Sequence, residues 1–371
     1  MRIGITGQAG FVGTHLFNLL ETLPDVERIP FEDCFFEDEL KLRSFVRECD
    51  AIVHLAAMNR HPDMQVIYDT NIRLVKQLIT AMEAEKVTPH VLFSSSIQEE
   101  LDNLYGASKR DGRELFVQWA QRNSAQFTGC VIPNVFGPYG RPNYNSVVAT
   151  FCHKLTHGEQ PEILKDGSVK LIYVGDLCRK FYDIIKNAET ADQLYIQFGA
   201  ELKVSEILSK LMAFKTQYFD AGVIPELPSR FDVQLFNTFC GYIEHCNFFP
   251  VMLKKNSDPR GTFVEIARLD NVGGQVSFST TVPGITRGNH YHTRKIERFA
   301  VIKGKARIEL RKIGTTEKLS FELDGENPAF VDMPVWYTHN IINIGSEDLY
   351  TIFWINEFFD PEDPDTFFEE V

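Results

Sequence analysis

Arg2-Ile3-Gly4-Ile5-Thr6-Gly7-Gln8-Ala9-Gly10-Phe11-Val12-Gly13 is the stretch that decides the fold of the first half. A short apolar strand runs straight into a glycine turn. A helix is predicted from Phe11 to Leu23, with Phe11, Val12, Leu16, Leu19 and Leu20 on one face. Glycines at 7, 10 and 13 let the chain turn tightly, let backbone approach a pyrophosphate, and let the helix pack on the strand. The helix N-terminus behind them supplies free N–H groups and the positive end of a dipole. A glycine turn alone is a weak signal; its place between a strand and a helix gives it weight.

Working outward, strand and helix patterns alternate. Asp50 to Ala57 reads as a buried strand ending in small residues. Thr70 to Glu85 reads as a helix with Ile72, Val75, Leu78, Ile79 and Met82 inward. His90 to Phe93 is a strand followed by Ser94, Ser95 and Ser96; Ser108 to Asn123 is a helix; Gly129 to Val135 is a strand. This alternation predicts an α/β Rossmann-type, doubly wound parallel sheet with helices on both faces. The second strand is expected to end near Glu32 and Asp33, about 20 residues after Gly13, where an acid binds the ribose diol of NAD. Arg28, the kind of residue that suits NADP, falls earlier on that strand.

The texture changes after about Phe249. Short alternating segments recur at 262–266, 275–281, 297–302, 306–311, 329–333 and 349–355, punctuated by Gly, Pro, Asn and Asp. Such a series predicts an all-β sandwich or barrel. The division expected is 1–246 and 247–371, after a helical stretch from Phe231 to Tyr242. The tail from Asn356 to Val371 is acidic and aromatic and reads as an extended arm packed on something.

Composition narrows the function. The chain has 371 residues, a length that suits two domains. Its hydrophobic share of 44% and charged share of 24% are those of a globular protein, which excludes global disorder. Thirty-eight Lys and Arg against 51 Asp and Glu give a net charge of −13, which argues against a nucleic-acid partner. No apolar run approaches the ~18 residues that cross a bilayer, so no membrane partner is expected. The N-terminus lacks the pattern of a signal peptide. Seven cysteines without a Cys-x-x-Cys pair suit reduced thiols and a cytoplasmic location.

Tyr105-Gly106-Ala107-Ser108-Lys109 places a phenol and an ammonium four residues apart, on one face of a helix start. The ammonium is expected to lower the pKa of the phenol and make it a proton donor near neutral pH. The pair follows a strand that ends in three serines, at the edge where open α/β sheets bind ligands. With Gly7, Gly10, Gly13, the Asp50-to-Ala57 strand, Asn71 and Pro133-Asn134-Val135-Phe136-Gly137-Pro138, residues 1 to about 245 resemble the nucleotide-sugar branch of the extended short-chain dehydrogenase/reductase family. The resemblance implies that Tyr105 protonates the nascent alkoxide and that Lys109 holds the nicotinamide ribose. Ser96 would polarise the carbonyl, with Ser95 the second choice. It also implies a site for NADPH or NADH lined by Gly7, Gly10, Phe11, Val12, Gly13, Leu55, Ala56 and Lys109. The local acids lean towards NAD, the family towards NADP. Two features depart from the family. Only nine residues separate Ser96 from Tyr105, and Val131-Ile132 stand where an arginine is frequent. Arg141, Lys154 and Lys170 are phosphate contacts only if they are not solvated surface charges, the reading favoured for each.

In the second half, His290-Tyr291-His292 and Glu297 lie between Gly284 and Gly304, with His339 downstream. Histidines two apart on a strand point to one face, and a glutamate and a later histidine complete an N/O site. That set suits Zn, Fe, Mn or Ni. The spacing resembles the first cupin motif, and Pro334-x-Trp336-x-x-His339-x-x-x-Asn343 the second, with Trp336 in place of its usual glycine. The resemblance implies a jelly-roll barrel holding one divalent metal per chain, zinc first, on His290, His292, Glu297 and His339. Asp258-Pro259-Arg260-Gly261-Thr262-Phe263-Val264-Glu265 resembles the opening segment of sugar-nucleotide epimerases of the cupin superfamily. Tyr337 and Lys303 are the candidate bases.

Fused, the halves resemble bifunctional enzymes of capsular polysaccharide biosynthesis. The resemblance implies a UDP-linked 4-keto-6-deoxy-hexosamine substrate, epimerised at C3 by the cupin and reduced at C4 by the reductase. It also implies a homodimer. Two other readings stay open: a single-activity 4-reductase with a structural or dimerising cupin, and a non-catalytic nucleotide-sugar sensor.

Overall fold

Strand β1 (Arg2–Thr6) leads through the Gly7 turn into α1 (Phe11–Glu21), then β2 (Glu27–Ile29), α2 (Glu39–Glu48) and β3 (Ala51–His54). Next come α3 (Met64–Glu85), β4 (His90–Ser96), α4 (Leu104–Asn123), β5 (Phe127–Ile132) and β6 (Asn134–Phe136). They are followed by α5 (Val147–Thr156), β7 (Ser168–Tyr173), α6 (Val174–Lys186), β8 (Ala191–Tyr195) and β9 (Ala200–Lys203). The computed structural model describes residues 1–258, 261–264, 266–269, 274–357 and 360–371.

The main sheet runs β2-β1-β3-β4-β5-β8, and every pairing in it is parallel. β3 and β5 are buried along their whole lengths, which is why neither shows the apolar–polar alternation of a half-exposed strand. The chain leaves β1 to one side for β2 and to the other for β3. That reversal opens the ligand crevice at the carboxyl ends of β1 and β3. Phe116 anchors the core beneath, packing on His54, Phe93, Trp119 and Phe127. His54 is a neutral core residue. Its Nδ1 lies 2.7 Å from the Thr6 hydroxyl, and burial pulls its pKa down to about 3, with Lys109 adding to the effect.

Three elements differ from the sequence expectation for physical reasons. α3 begins at Met64 because the Asp63 side chain caps it, accepting the Gln65 N–H at 2.9 Å. α4 begins at Leu104 because Asn103 accepts the Gly106 N–H at 2.7 Å, which brings Tyr105 into the first turn. The expected strand from Gly129 to Val135 is two strands, β5 and β6, parted at Pro133, which has no N–H for a ladder.

The chain forms two compact units, one of residues 1–136, 140–146 and 167–203, the other of 137–139, 147–166 and 204–371. The texture change near residue 247 falls inside the second unit. That unit holds α5, α7 (Val204–Phe214), β10 (Val223–Ile224), α8 (Arg230–Cys240) and α9 (His245–Phe248). Its strands continue with β11 (Val251–Met252), β12 (Lys255–Asp258), β13 (Gly261–Val264), β14 (Arg268–Leu269), β15 (Gln275–Thr281), β16 (Thr286–Tyr291) and β17 (Glu297–Lys303). They end with β18 (Lys305–Lys312), β19 (Lys318–Asp324), β20 (Ala329–Met333), β21 (Tyr337–Asn343), β22 (Leu349–Ile355) and β23 (Phe367–Phe368).

Two five-stranded sheets, β11-β20-β17-β22-β15 and β19-β18-β21-β16-β23, are antiparallel throughout and make the all-β cupin, or jelly-roll barrel, domain. Alternation turns Ala306, Ile308 and Leu310 of β18 inward. β16 and β21 are absent from the alternating segments predicted, because Thr-Arg-Gly-Asn-His-Tyr and Tyr-Thr-His-Asn are too polar to show a hydrophobic period.

Candidate active site and metal centre

At the carboxyl ends of β1 and β3 the glycines act as steric openings. Gly7 has φ +69°, and a Cβ there would lie 2.8 Å from the Ala56 nitrogen. A Cβ on Gly13 would lie 2.3 Å from the Gly7 carbonyl oxygen, so only glycine lets α1 come this close to the turn. Gly10 caps α1, and Phe11 and Val12 open it. Leu55 donates its N–H to the Thr6 carbonyl at 3.1 Å, and the Ala56 N–H reaches the Thr6 hydroxyl at 3.4 Å. The structure thus brings Gly7, Leu55 and Ala56 together at one crevice. Glu32 and Asp33 do not end β2. The strand stops at Ile29, and both acids are exposed beyond it, Asp33 in a short 3₁₀ turn. The Phe31 N–H between strand and turn is taken by the Gln8 side chain at 3.1 Å. Arg28 is occupied by the Phe17 ring, the Phe17 carbonyl and an ion pair with Glu21.

Tyr105 and Lys109 share one face of α4 beside the end of β4. The Lys109 ammonium is buried, donates to the Ser94 carbonyl at 2.9 Å, and lies 5.8 Å from the centre of the Tyr105 ring. The expected depression of the phenol pKa does not occur. Burial pushes Tyr105 up to about 12, helped by Tyr144, and pulls Lys109 down to about 8 against the field of Glu99. Desolvation outweighs the pairing because the ammonium is aimed at a carbonyl rather than at the phenol.

The three serines divide by strand alternation. Ser95 is buried and donates to the Glu99 carboxylate, which Arg113 grips through Nε and Nη2 at 3.0–3.2 Å. Ser94 and Ser96 point to the other face, and Ser96 accepts the Gln98 N–H at 3.2 Å as the cap of a short turn. Ser95 is therefore committed to structure, which leaves Ser94 and Ser96 on the other face, with the Ser96 hydroxyl proton still available while its oxygen caps the turn.

Sequence reasoning named Arg141 but not the setting of its loop, whose Tyr144 is near enough to Tyr105 to raise its pKa. Arg60 holds this loop by donating to the Asn143 carbonyl at 2.9 Å, and Arg141 stacks on Tyr144 at 5.2 Å. Lys170 lies over the Phe198 ring at 5.3 Å, and Lys154, on α5 of the second unit, is half-buried.

In the barrel, one ligand atom from each of His290, His292, Glu297 and His339 lies within 4.8 Å of the others. Glu297 is the hub, with its Oε2 2.9 Å from Nε2 of His339, 3.3 Å from Nε2 of His292 and 3.9 Å from Nε2 of His290. His292 stands one residue beyond the end of β16, not within it. Burial alone would raise the Glu297 carboxyl, but the imidazoles of His290, His292 and His339 around it hold it well below its ordinary value. Burial lowers His339 despite Glu297; for His292 the carboxylate prevails over burial and raises it.

The cluster fits a divalent cation. The outer nitrogens of His292 and His339 face the carbonyls of Asp365 and Tyr337 at 2.5 and 3.2 Å, so each ring turns Nε2 inward. Nε2 of His292 is buried and has no hydrogen-bond partner, an unmet lone pair aimed at the hub. His290 is the most exposed of the four and marks the open side.

Trp336 adopts φ +62°, the conformation that a glycine takes without cost. Stacking on Tyr291 and a 2.8 Å bond from its N–H to the His292 carbonyl hold it there. Of the candidate bases, Lys303 is misplaced. It lies at the far end of β17 from Glu297, exposed and paired with Glu347 at 3.0 Å. Tyr337 stacks on His245, and burial raises its pKa. Pro259, Arg260 and Glu265 lie outside the described residues.

The sequence matches the NAD dependent epimerase/dehydratase family over residues 3–196 and the polysaccharide biosynthesis C-terminal domain over residues 256–367. It is 34% identical to a UDP-2-acetamido-2,6-beta-L-arabino-hexul-4-ose reductase from Pseudomonas aeruginosa, covering 99% of this chain and 98% of that one. The chain belongs to the NAD dependent epimerase/dehydratase family. Among solved structures it is similar to the capsular polysaccharide assembling protein CapF from Staphylococcus aureus, with 34% identity, full coverage of both chains and a TM-score of 0.64. Spore coat polysaccharide biosynthesis protein SpsL from Bacillus subtilis is 30% identical over 122 residues, 30% of this chain and 81% of that one. The family's nicotinamide dependence matches the crevice of the first unit. Among the described residues, all seven cysteines are free, and no helix is long and apolar enough to cross a membrane.

Proposed function

We propose that the chain is a bifunctional nucleotide-sugar enzyme of capsular polysaccharide synthesis, divided functionally at residues 246 and 247. The cupin epimerises C3 of a UDP-4-keto-6-deoxy-hexosamine, and the reductase then converts the C4 ketone to an alcohol. The product is UDP-N-acetyl-6-deoxy-L-talosamine, a precursor of UDP-N-acetyl-L-fucosamine. The order follows from chemistry: the ketone acidifies the neighbouring C–H, and reduction removes it. What carries the reading is the Pseudomonas aeruginosa reductase, whose likeness runs through both halves of the chain and whose name specifies a 4-keto UDP-sugar.

NADPH or NADH supplies the hydride. Tyr105 donates its proton to the C4 oxygen; a phenol held at about 12 stays protonated across the neutral range. Ser96 hydrogen-bonds the ketone, and Lys109, which donates to the Ser94 carbonyl, would hold the nicotinamide ribose. Gly7, Gly10, Phe11, Val12, Gly13, Leu55 and Ala56 line the cofactor crevice. In the cupin, His290, His292, Glu297 and His339 hold a divalent cation, zinc first, which supplies charge stabilisation for an enolate. On this reading the protein works in the cytoplasm as a homodimer, and light scattering tests the dimer.

The deciding experiment uses purified protein in D₂O with the 4-keto sugar and no nicotinamide, following the C3 proton by NMR. Exchange that disappears in His290→Ala supports the two-step reading. The relative's name mentions reduction alone, which favours the second reading of a 4-reductase with a structural cupin. Metal-loaded protein that gives no exchange, and keeps its reductase activity when stripped of metal, establishes that second reading.

A further inference from the structure

The acidic, aromatic tail plays no part in the chemistry above, yet it is firmly tied to the strands that carry the histidine cluster. β23 pairs with β16, with Phe368 opposite His290 and Phe367 opposite Tyr291. The Glu369 N–H donates to the Asn289 carbonyl at 2.9 Å, and its own carbonyl accepts from the Thr338 hydroxyl, next to His339. Arg311 clamps the end through the Glu369 carboxylate at 2.7 Å and the Glu370 carbonyl at 2.6 Å.

Asp365 is the centre of this attachment, and it is 3% exposed. Its carbonyl accepts the Nδ1 proton of His292 at 2.5 Å. Its carboxylate accepts the Thr293 hydroxyl at 2.6 Å, the Thr293 N–H at 3.2 Å and the Arg294 N–H at 2.9 Å. The next carbonyl back, of Pro364, takes the buried Lys295 ammonium at 2.8 Å. Asp365 adopts φ +42°, a left-handed conformation that aspartate and asparagine tolerate better than most residues. One residue thus holds the imidazole of His292 and the backbone that follows it.

A carbonyl only accepts, so Nδ1 of His292 must carry the proton, and in the neutral ring Nε2 carries the lone pair. That lone pair is the buried, unpartnered one beside Glu297. Outer hydrogen bonds of this kind fix the tautomer and ring orientation of a metal ligand. We infer that Asp365 is a positioning residue for the metal centre, and that the C-terminal arm is the device by which the barrel locks His292 for coordination. The inference rests on the metal-binding reading of the cluster.

The test uses full-length, metal-free protein: wild type, Asp365→Ala, Asp365→Asn and Thr293→Val. Zinc affinity is measured by competition with a chromophoric chelator, and cobalt loading by its d–d absorption. Circular dichroism checks the fold of each metal-free variant. Wild type is expected to take up one equivalent. Asp365→Ala should bind zinc about 10- to 100-fold more weakly, with an altered cobalt spectrum. Asp365→Asn should recover most of the affinity, because an amide oxygen still accepts and asparagine tolerates the backbone. Thr293→Val should lose affinity several-fold, and it decides the matter if Asp365→Ala does not fold. Folded Asp365→Ala, or Thr293→Val in its stead, with zinc affinity within twofold of wild type and an unchanged cobalt spectrum, overturns the inference alone. Wild type that takes up neither cation overturns the metal reading, and the inference with it.

Discussion

Replacing Lys109 with methionine is expected to stabilise the protein while removing reduction. The ammonium is only 4% exposed, and burial pulls its pKa to about 8 from the ordinary 10.5, against the field of Glu99. At about 1.4 kcal/mol per pH unit, that gap amounts to about 3 kcal/mol against folding at neutral pH. The bond from Nζ to the Ser94 carbonyl offsets about 1 kcal/mol. Methionine fills the same channel with no charge to desolvate, so the net gain is about 2 kcal/mol, or about 4–8 °C for a unit of this size. The sign follows from linkage. The folded pKa lies below the unfolded one, so the penalty is fully present below about pH 8 and fades as pH rises towards 10.5. Calorimetry of the full-length proteins at pH 7, 8.5 and 10 should show the variant melting higher, by a margin that shrinks with pH. Nicotinamide oxidation should fall about a hundredfold or more. A variant that melts below wild type at pH 7, or a margin that widens with pH, refutes the account of Lys109 as a charge kept for function at the expense of stability.

Tyr105→Phe should lower reduction by about 10²- to 10⁴-fold in a nicotinamide absorbance assay while C3 exchange in D₂O continues; loss of both activities contradicts separate sites. Arg298 and Asp332 form a buried bidentate ion pair at 2.8 and 3.1 Å. Arg298→Met should cost about 3–5 kcal/mol by urea denaturation, because it strands a buried carboxylate, whereas Arg298→Met with Asp332→Leu should recover most of that. Equal losses in the single and double variants would show that packing, not charge, governs the site.

What was legible in the sequence was whatever repeats or is local. The period of two in β18 and its absence in β3 and β5 announce two kinds of sheet, because each reports which faces are buried. The glycine turn at residue 7 was readable because a left-handed φ there excludes most side chains. The convergence of His290, His292, Glu297 and His339 was readable from spacing, even though the polar strands β16 and β21 were not. Signals that depend on solvent were lost. The four-residue step from Tyr105 to Lys109 suggests an ammonium lowering a phenol, but burial reverses the result, and no local pattern encodes burial.

The deeper loss concerns the residues that orient the chemistry. Glu99 and Arg113 engage the middle serine, yet nothing in Ser94-Ser95-Ser96 reveals that its hydroxyl turns to a carboxylate on the turn that follows. Asp365 lies 73 positions from His292 and meets it through a backbone carbonyl, which every residue possesses. Ligand identity is written in side chains and survives in spacing. Ligand orientation is written in contacts made by peptide groups brought together only by the fold. A sequence therefore names the atoms of such a centre before it says what holds them, and the acidic tail read as an unassigned arm is where that missing information lies.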